Sequence, residues 1–183
     1  MYSKKIYITF FLLILAIFVF FSSGHYGGDG LENYLVAQSI VKDGDLSIHD
    51  TEFGVKEMRY QKRGKIGSGG KIYSSHGLGM PILLVPLYFL GSIMSFFVKG
   101  VHPEYVTQLF VSFANPIMCA GLSVVFILLL SELKYSMRIS FISTLIFSFC
   151  TMSVVYSRSG FSEPAVTLCF LIAAFFTLRY LNT

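Results

Sequence analysis

The chain has 183 residues, of which 54% are hydrophobic and only 13% are charged, and its mean hydropathy is +0.67. This composition is too apolar for an ordinary water-soluble domain and predicts a membrane protein with lipid-facing helices. The net charge of +4 does not indicate a nucleic acid partner, because membrane proteins collect Lys and Arg in their cytoplasmic loops.

The first apolar segment, residues 6–21, follows Lys4 and Lys5. It is either a first transmembrane span or the hydrophobic region of a secretory signal. Its length and the poor cleavage pattern in "FSSGH" favour a span. The two lysines then place the N-terminus in the cytoplasm, and the protein is predicted to be integral to the plasma (inner) membrane.

Residues 22–78 form a long polar loop with segregated charge. Six acids and one lysine lie between Asp29 and Glu52, whereas six bases and one acid lie between Lys56 and Lys71. The two halves either bind each other or present a basic patch to phosphate. The segment "GKIGSGGK" (64–71) lacks the glycine and hydroxyl spacing of a P-loop and instead predicts a hairpin turn between "KEMRYQ" and "KIYSS".

Four further apolar segments predict an all-α, polytopic membrane fold. Residues 79–98 contain Pro81 and Pro86 and form either a span or an interfacial or re-entrant helix. The predicted spans that follow are residues 106–130, kinked at Asn115-Pro116, then 139–156 and 165–181. The three cysteines lie within apolar segments without metal-ligand spacing, so we interpret them as small core residues.

Two topologies follow. With five spans, Lys134 and Arg138 lie outside the cell; with four spans and an interfacial proline-containing helix they are cytoplasmic, which fits the positive-inside rule better. The four-span topology also places Asp29, Arg158 and Glu163 on the same outer face. In the five-span topology Glu163 lies on the opposite side.

Several polar residues are candidates for a site, each with a structural alternative. Asp29 and Glu32 have capping-box spacing at the start of a helix predicted from Leu31 to Lys42. Arg158 and Glu163 could form an ion pair, or Glu163 could face a hydrated cavity, because a carboxylate at the mouth of a span is costly to bury. His76 in "YSSHGLG" is a candidate metal ligand or phosphate contact, although a single loop histidine is more often neither.

Three segments resemble the N-terminal part of polytopic GT-C glycosyltransferases, nearest to the protein O-mannosyltransferase and aminoarabinose transferase branch (glycosyltransferase family 39-like). They are "GGDGLENYLVAQSIVKDGDL", "IYSSHGLGMPILLVPLYFLG" and "VVYSRSGFSEPAVTLCFLIAAFF". The resemblance implies a catalytic aspartate, Asp29, before a juxtamembrane helix that ends at Gly44-Asp45. It also implies an interfacial proline-containing helix and an acidic residue before proline, Glu163-Pro164, in a second outer loop.

The implied activity is sugar transfer from a polyprenyl-phosphate donor to a lipid, glycan or protein acceptor at the extracytoplasmic face. Asp29 is the expected general base, and Glu163 would position the acceptor or bind a divalent metal ion, the one cofactor that the resemblance suggests. The expected phosphate contacts are Arg59, Lys62, Arg63 and Arg158. The other expected substrate contacts are Glu32, Tyr34, Tyr73 and His76.

Family members are considerably longer than this chain. We therefore expect an N-terminal module, with a second chain as a possible partner alongside the lipid-linked donor and membrane lipid. The alternative function is a non-catalytic accessory or transporter-component protein. A transporter should bury ionisable groups near the bilayer midplane, whereas the predicted spans here are almost free of charge.

Overall fold

A computed structural model describes residues 4–22, 29–48 and 64–182. The chain is mostly helical, as predicted. The helices are α1 (Lys4–Phe21), α2 (Asp29–Asp43), α3 (Gly79–Ser95), α4 (Pro103–Ser112), α5 (Ala114–Glu132), α6 (Met137–Phe149), α7 (Ser153–Tyr156) and α8 (Glu163–Leu181). The strands are β1 (Ser47–Ile48), β2 (Lys65–Ile66) and β3 (Ile72–Tyr73).

Among the described residues, three helical segments are long and apolar enough to cross a membrane: Lys4–Phe21, Pro103–Glu132 and Glu163–Leu181. These segments overlap three of the predicted spans, and by length and composition they are candidate membrane-spanning helices. The helices Gly79–Ser95 and Met137–Phe149 are also apolar but shorter. At 17 and 13 residues, they fall at or below the roughly 17 to 25 residues that a spanning helix requires.

The chain divides into two compact units, one made of residues 1–23 and 115–183 and the other of residues 24–114. In the first unit, Phe10, Ile14 and Phe18 lie on one side of α1 at four-residue spacing and share an apolar core with Cys119 and Leu122 of α5. The other side of α1 exposes apolar side chains, including Ile8, Leu12, Leu13 and Phe20. An apolar surface of this kind is suited to lipid rather than to water.

The segment Pro103–Glu132 is interrupted at Phe113, between α4 and α5. Pro116 has no N–H to donate to the carbonyl of Ser112, so the regular helical bond is absent at this point. The Phe113 N–H instead bonds the Phe110 carbonyl in a tighter turn. The helix is thus interrupted at Phe113, two residues before the Asn115-Pro116 pair at which a kink was predicted.

The predicted continuous helix over 139–156 is wrong, because α6 ends at Phe149 and α7 begins at Ser153. The side chain of Thr151 explains the break. Its hydroxyl donates to the Phe147 carbonyl at 2.5 Å and accepts from the Ser153 N–H at 3.3 Å. Hydroxyl side chains that bond nearby backbone groups compete with helix continuation.

In the second unit, α2 packs on α3, and α3 packs on α4. Ten consecutive residues of α2, Gly30–Ser39, are buried. Gly91 lets α3 approach α4 closely, since a Cβ atom at this position would lie 2.8 Å from the Thr107 Cα atom. Helix α2 ends at Asp43, and Gly44 follows with a φ of 64°. A glycine in this left-handed conformation is a common way to end a helix.

Within the described part of the chain, three strands form an antiparallel sheet in the order β1-β3-β2. Strands β2 and β3 make a hairpin in which Lys65 pairs with Tyr73 and Ile66 with Ile72. Gly69 and Gly70 both have positive φ in its turn. The segment "GKIGSGGK" thus contains a turn, as predicted, but strand β2 lies within this segment. The segment "KEMRYQ" lies outside the described residues.

Candidate functional site

The candidate site lies at the N-terminal end of α2. Asp29 is the first residue of this helix and its side chain is 40% exposed, whereas Glu32, one turn later, is 1% exposed. Residues three apart lie on the same face of a helix. The two carboxylates therefore form a pair in which one is accessible and the other is buried beneath it.

Glu32 is held by the segment that follows β3. Its Oε2 atom accepts three hydrogen bonds, from the Ser74 hydroxyl at 2.9 Å, the Ser75 N–H at 3.1 Å and the Ser75 hydroxyl at 3.2 Å. Its Oε1 atom is buried and has no hydrogen-bond partner among the described residues. Glu32 consequently does not reach back to cap the start of α2, and that part of the predicted capping box is wrong.

His76 lies next to both carboxylates. Its Nε2 atom is 3.5 Å from Asp29 Oδ1 and 3.9 Å from Glu32 Oε2, and its side chain is 39% exposed. The His76 N–H donates to the Ser74 hydroxyl at 3.0 Å, which fixes the backbone beneath the ring. The structure thus brings His76 together with two other predicted site residues, Asp29 and Glu32, that precede it in sequence by more than 40 positions.

The hairpin that leads to His76 is anchored to the end of α2. Lys71 Nζ lies 2.6 Å from Asp45 Oδ2. The hydrogen bond from Lys71 is the main reason that the pKa of Asp45 lies well below its usual range, and the bond from the Ser47 hydroxyl is the next. Asp45 in turn raises the pKa of Lys71. The Lys71–Asp45 pair joins the acidic and basic halves of the loop, as in the interpretation that the two halves bind each other.

The two predicted tyrosine contacts have different surroundings. Tyr73 is half-buried in β3, and its ring covers Gly67, where an added Cβ atom would lie 2.6 Å from it. Tyr34 is fully buried, packs against the Tyr88 ring and shares a 2.7 Å hydrogen bond with the Thr107 hydroxyl. Burial raises the pKa of Tyr34. The expectation that Tyr34 borders a sugar pocket is corrected, because its side chain belongs to the packing between helices.

Arg158 and Glu163 belong to the other compact unit. Arg158 is exposed in the turn after α7, and Glu163 is exposed as the first residue of α8. The backbone of this turn is held by Asn115, which is buried in α5. The Asn115 amide nitrogen donates to the carbonyls of Tyr156 and Phe161, both at 3.0 Å, and to that of Ser159.

Three predicted phosphate contacts, Arg59, Lys62 and Arg63, lie outside the described residues. Among the residues that are described, no group of three His, Cys, Asp or Glu side chains is arranged to hold a metal ion. The divalent metal that the sequence suggested at Glu163 stays a prediction.

Sequence reasoning missed the residues that support the site. Ser74 and Ser75 precede His76 in "YSSHG", and Asn115 precedes Pro116, where we predicted only a kink. A serine pair has no sequence signature for bonding a distant carboxylate, because the partner is set by the fold. The one available signal was general: a carboxylate such as that of Glu32 is costly to bury unless hydrogen-bond donors surround it.

The comparisons with known proteins gave no match. No protein-family model, curated protein or solved structure is similar enough to this chain to assign it to a family.

Proposed function

We propose that the chain is a membrane glycosyltransferase, or the N-terminal module of one, that transfers a sugar from a polyprenyl-phosphate donor to an acceptor hydroxyl. The observation that carries the proposal is the carboxylate pair at the start of α2, with Asp29 accessible and Glu32 buried and bonded to the Ser74 hydroxyl and to the Ser75 N–H and hydroxyl. An accessible carboxylate on a supported helix end can approach an acceptor proton. The three segments that resemble GT-C enzymes give the reaction class.

In the proposed reaction, the acceptor oxygen forms a bond to the anomeric carbon of the sugar while the bond from that carbon to the phosphate oxygen breaks. The electron pair of the broken bond leaves with the polyprenyl phosphate, and the acceptor proton passes to Asp29. His76, 3.5 Å from Asp29 Oδ1, helps to hold the carboxylate in position for the acceptor. Glu32 holds the backbone that carries His76.

The charge that develops on the leaving phosphate requires cationic groups. We assign this role to Arg158 and to the basic segment that contains Arg59, Lys62 and Arg63. Glu163, exposed at the start of α8, positions the acceptor. Both assignments require residues 22–78 and 157–164 to lie on the same side of the membrane, as in the four-span topology.

The catalytic test uses membranes from cells that express the chain, with polyprenyl-phosphate mannose and polyprenyl-phosphate glucose as radiolabelled donors. Transfer of label to the lipid, glycan and protein fractions is measured. A general base contributes roughly 10²- to 10⁴-fold to rate, so Asp29→Asn should lower transfer by at least about 100-fold. Asp43→Asn, the same change at the exposed end of α2, is the matched control and should retain transfer.

Full transfer by Asp29→Asn at normal expression would show that Asp29 is not the base. If the unaltered chain transfers neither sugar, alone or in membranes that supply its natural partner chains, the non-catalytic accessory function replaces the proposal.

Sidedness is tested independently of activity. After replacement of the three native cysteines, single cysteines are placed at the exposed positions Lys65, Ser136 and Ser162 and labelled in intact cells with an impermeant thiol reagent. The proposal requires labelling at 65 and 162 but not at 136. Labelling at 65 and 136 but not at 162 would separate Asp29 from Glu163 and exclude a shared site.

A further inference from the structure

A cavity of about 420 Å³ lies among α2, α3 and the start of α4, within the unit of residues 24–114. Its volume is within the range of about 300 to 1,000 Å³ that is typical of small-molecule sites. The walls are mainly apolar and include Val41, Phe89, Ile93, Phe96 and Pro103. Of the described residues, Lys42 and Glu104 are the charged ones that line it. None of these residues belongs to the candidate glycosyltransferase site.

Glu104 has one carboxylate oxygen bonded and one without a partner. Its Oε1 atom accepts from the Gln38 amide at 2.9 Å and lies 3.4 Å from the Lys42 ammonium. Its Oε2 atom is buried and has no hydrogen-bond partner among the described residues. The side chain is only 13% exposed. A buried acceptor of this kind is costly, and a ligand that supplies a donor would remove the cost.

Lys42 lies at the edge of the same cavity, and its side chain is 49% exposed. An ammonium has three N–H donors, and one of them is directed to Glu104. The others are available to a phosphate oxygen, which is a strong acceptor for such groups. The cavity therefore combines a buried acceptor, an accessible cation and an apolar wall. Since Lys42 and Glu104 carry opposite charges, the pair has no net charge and suits a ligand that is itself neutral overall.

We propose that this cavity binds a zwitterionic phospholipid with a primary amine headgroup, of the phosphatidylethanolamine type. The ammonium of the lipid donates to Glu104 Oε2, its phosphate accepts from Lys42, and the start of an acyl chain packs against Phe89, Ile93 and Phe96. The outer side of α3 is also apolar and exposed at Ile82, Leu83 and Leu90, so the cavity is next to a surface suited to lipid.

The chemistry of the cavity distinguishes this lipid from two common alternatives. Phosphatidylcholine is also zwitterionic, but its quaternary ammonium has no N–H to donate to Glu104. Phosphatidylglycerol offers hydroxyl donors, but it has a net negative charge that the neutral Lys42 and Glu104 pair does not balance. The cavity should therefore prefer phosphatidylethanolamine over both.

The test measures lipid retention by native mass spectrometry on the purified full chain, delipidated in detergent and then given equal amounts of the three lipids with identical acyl chains. The unaltered chain should retain phosphatidylethanolamine preferentially. In Glu104→Gln the preference for phosphatidylethanolamine should fall about tenfold, because a hydrogen bond to a charged group is lost. Glu132→Gln, the same change at the end of α5, is the matched control and should keep the preference.

Lys42→Met provides a second variant at a half-exposed position, where folding should be retained. It should lower retention of all three lipids, because each of them carries a phosphate. Equal retention of the three lipids by the unaltered chain, a preference for phosphatidylglycerol, or an unchanged preference in Glu104→Gln would each overturn the proposal. The result does not depend on transferase activity, since the lipid is not a substrate in the assay.

Discussion

Replacing Glu32 should release the backbone that places His76 beside Asp29. One oxygen of Glu32 accepts three hydrogen bonds from Ser74 and Ser75. Glu32→Ala leaves all three donors without their acceptor, whereas Glu32→Gln keeps a side-chain oxygen of the same reach. Both variants remove the buried charge, so the difference between them isolates the contribution of the acceptor.

The magnitude follows from the bonds. A hydrogen bond to a charged acceptor contributes about 1.5 to 3 kcal/mol. When three donors share one oxygen, their total contribution is smaller than the sum of three separate bonds. We therefore expect Glu32→Ala to weaken the local structure at Ser75 by about 3 kcal/mol. Glu32→Gln, which loses the charge but not the acceptor, should weaken it by about 1 kcal/mol.

Hydrogen exchange of the Ser75 amide gives a local measurement that does not require reversible unfolding of a membrane protein. Because about 1.4 kcal/mol corresponds to a factor of ten, exchange should accelerate roughly 100-fold in Glu32→Ala and roughly fivefold in Glu32→Gln. Glu132→Ala serves as the control and should leave the Ser75 amide unchanged. Equal acceleration in the alanine and glutamine variants would refute the assignment of Glu32 as the acceptor that holds this segment.

Two further predictions concern the remaining anchors. Asn115→Leu should lower the local stability of residues 156–161 by about 2 kcal/mol and speed their amide hydrogen exchange, because three carbonyls lose their donor. Asn182→Leu is the control, because it removes one exposed bond to the Glu132 carbonyl, and it should lower stability by less than about 0.5 kcal/mol. Asp45 has a lowered pKa, so its contribution to the hairpin should be complete above its unfolded pKa of about 4 and decline as pH falls below that value. Lys71→Met should reduce this acid-dependent loss, measured as Ile72 amide exchange corrected for the intrinsic rate, and an unchanged acid profile would contradict the assigned cause.

The elements that sequence predicted well are those set by local pattern. Apolar length identifies the helices that begin at Lys4 and Glu163, and the Asp43-Gly44 end of α2 follows from glycine at a helix terminus. Thr151 shows why the interrupted helix was missed. Its hydroxyl lies in an apolar segment whose hydropathy is high enough for a span, and hydropathy contains no information about the bond it makes to Phe147.

The candidate site was predictable only in part. Capping-box spacing correctly placed Asp29 and Glu32 on one helix turn, but spacing alone assigned Glu32 to the helix end rather than to Ser74 and Ser75. Tyr34 was predicted at a sugar pocket from the resemblance to GT-C enzymes. Its burial against Tyr88 depends on the packing of α2 on α3, and periodicity could not show it in a helix that is buried over nearly its whole length.

The bonds along α2 also bear on how the protein can move. The helix is held near its start by Glu32, in the middle by the Tyr34 bond to Thr107, and near its end by the Gln38 bond to Glu104. Sliding or rotating a helix of 15 residues, roughly 22 Å long, would break all three attachments together. Within the unit of residues 24–114, the Asp29 carboxylate is therefore carried by a helix that can move only together with the segments that contain Ser74, Glu104 and Thr107.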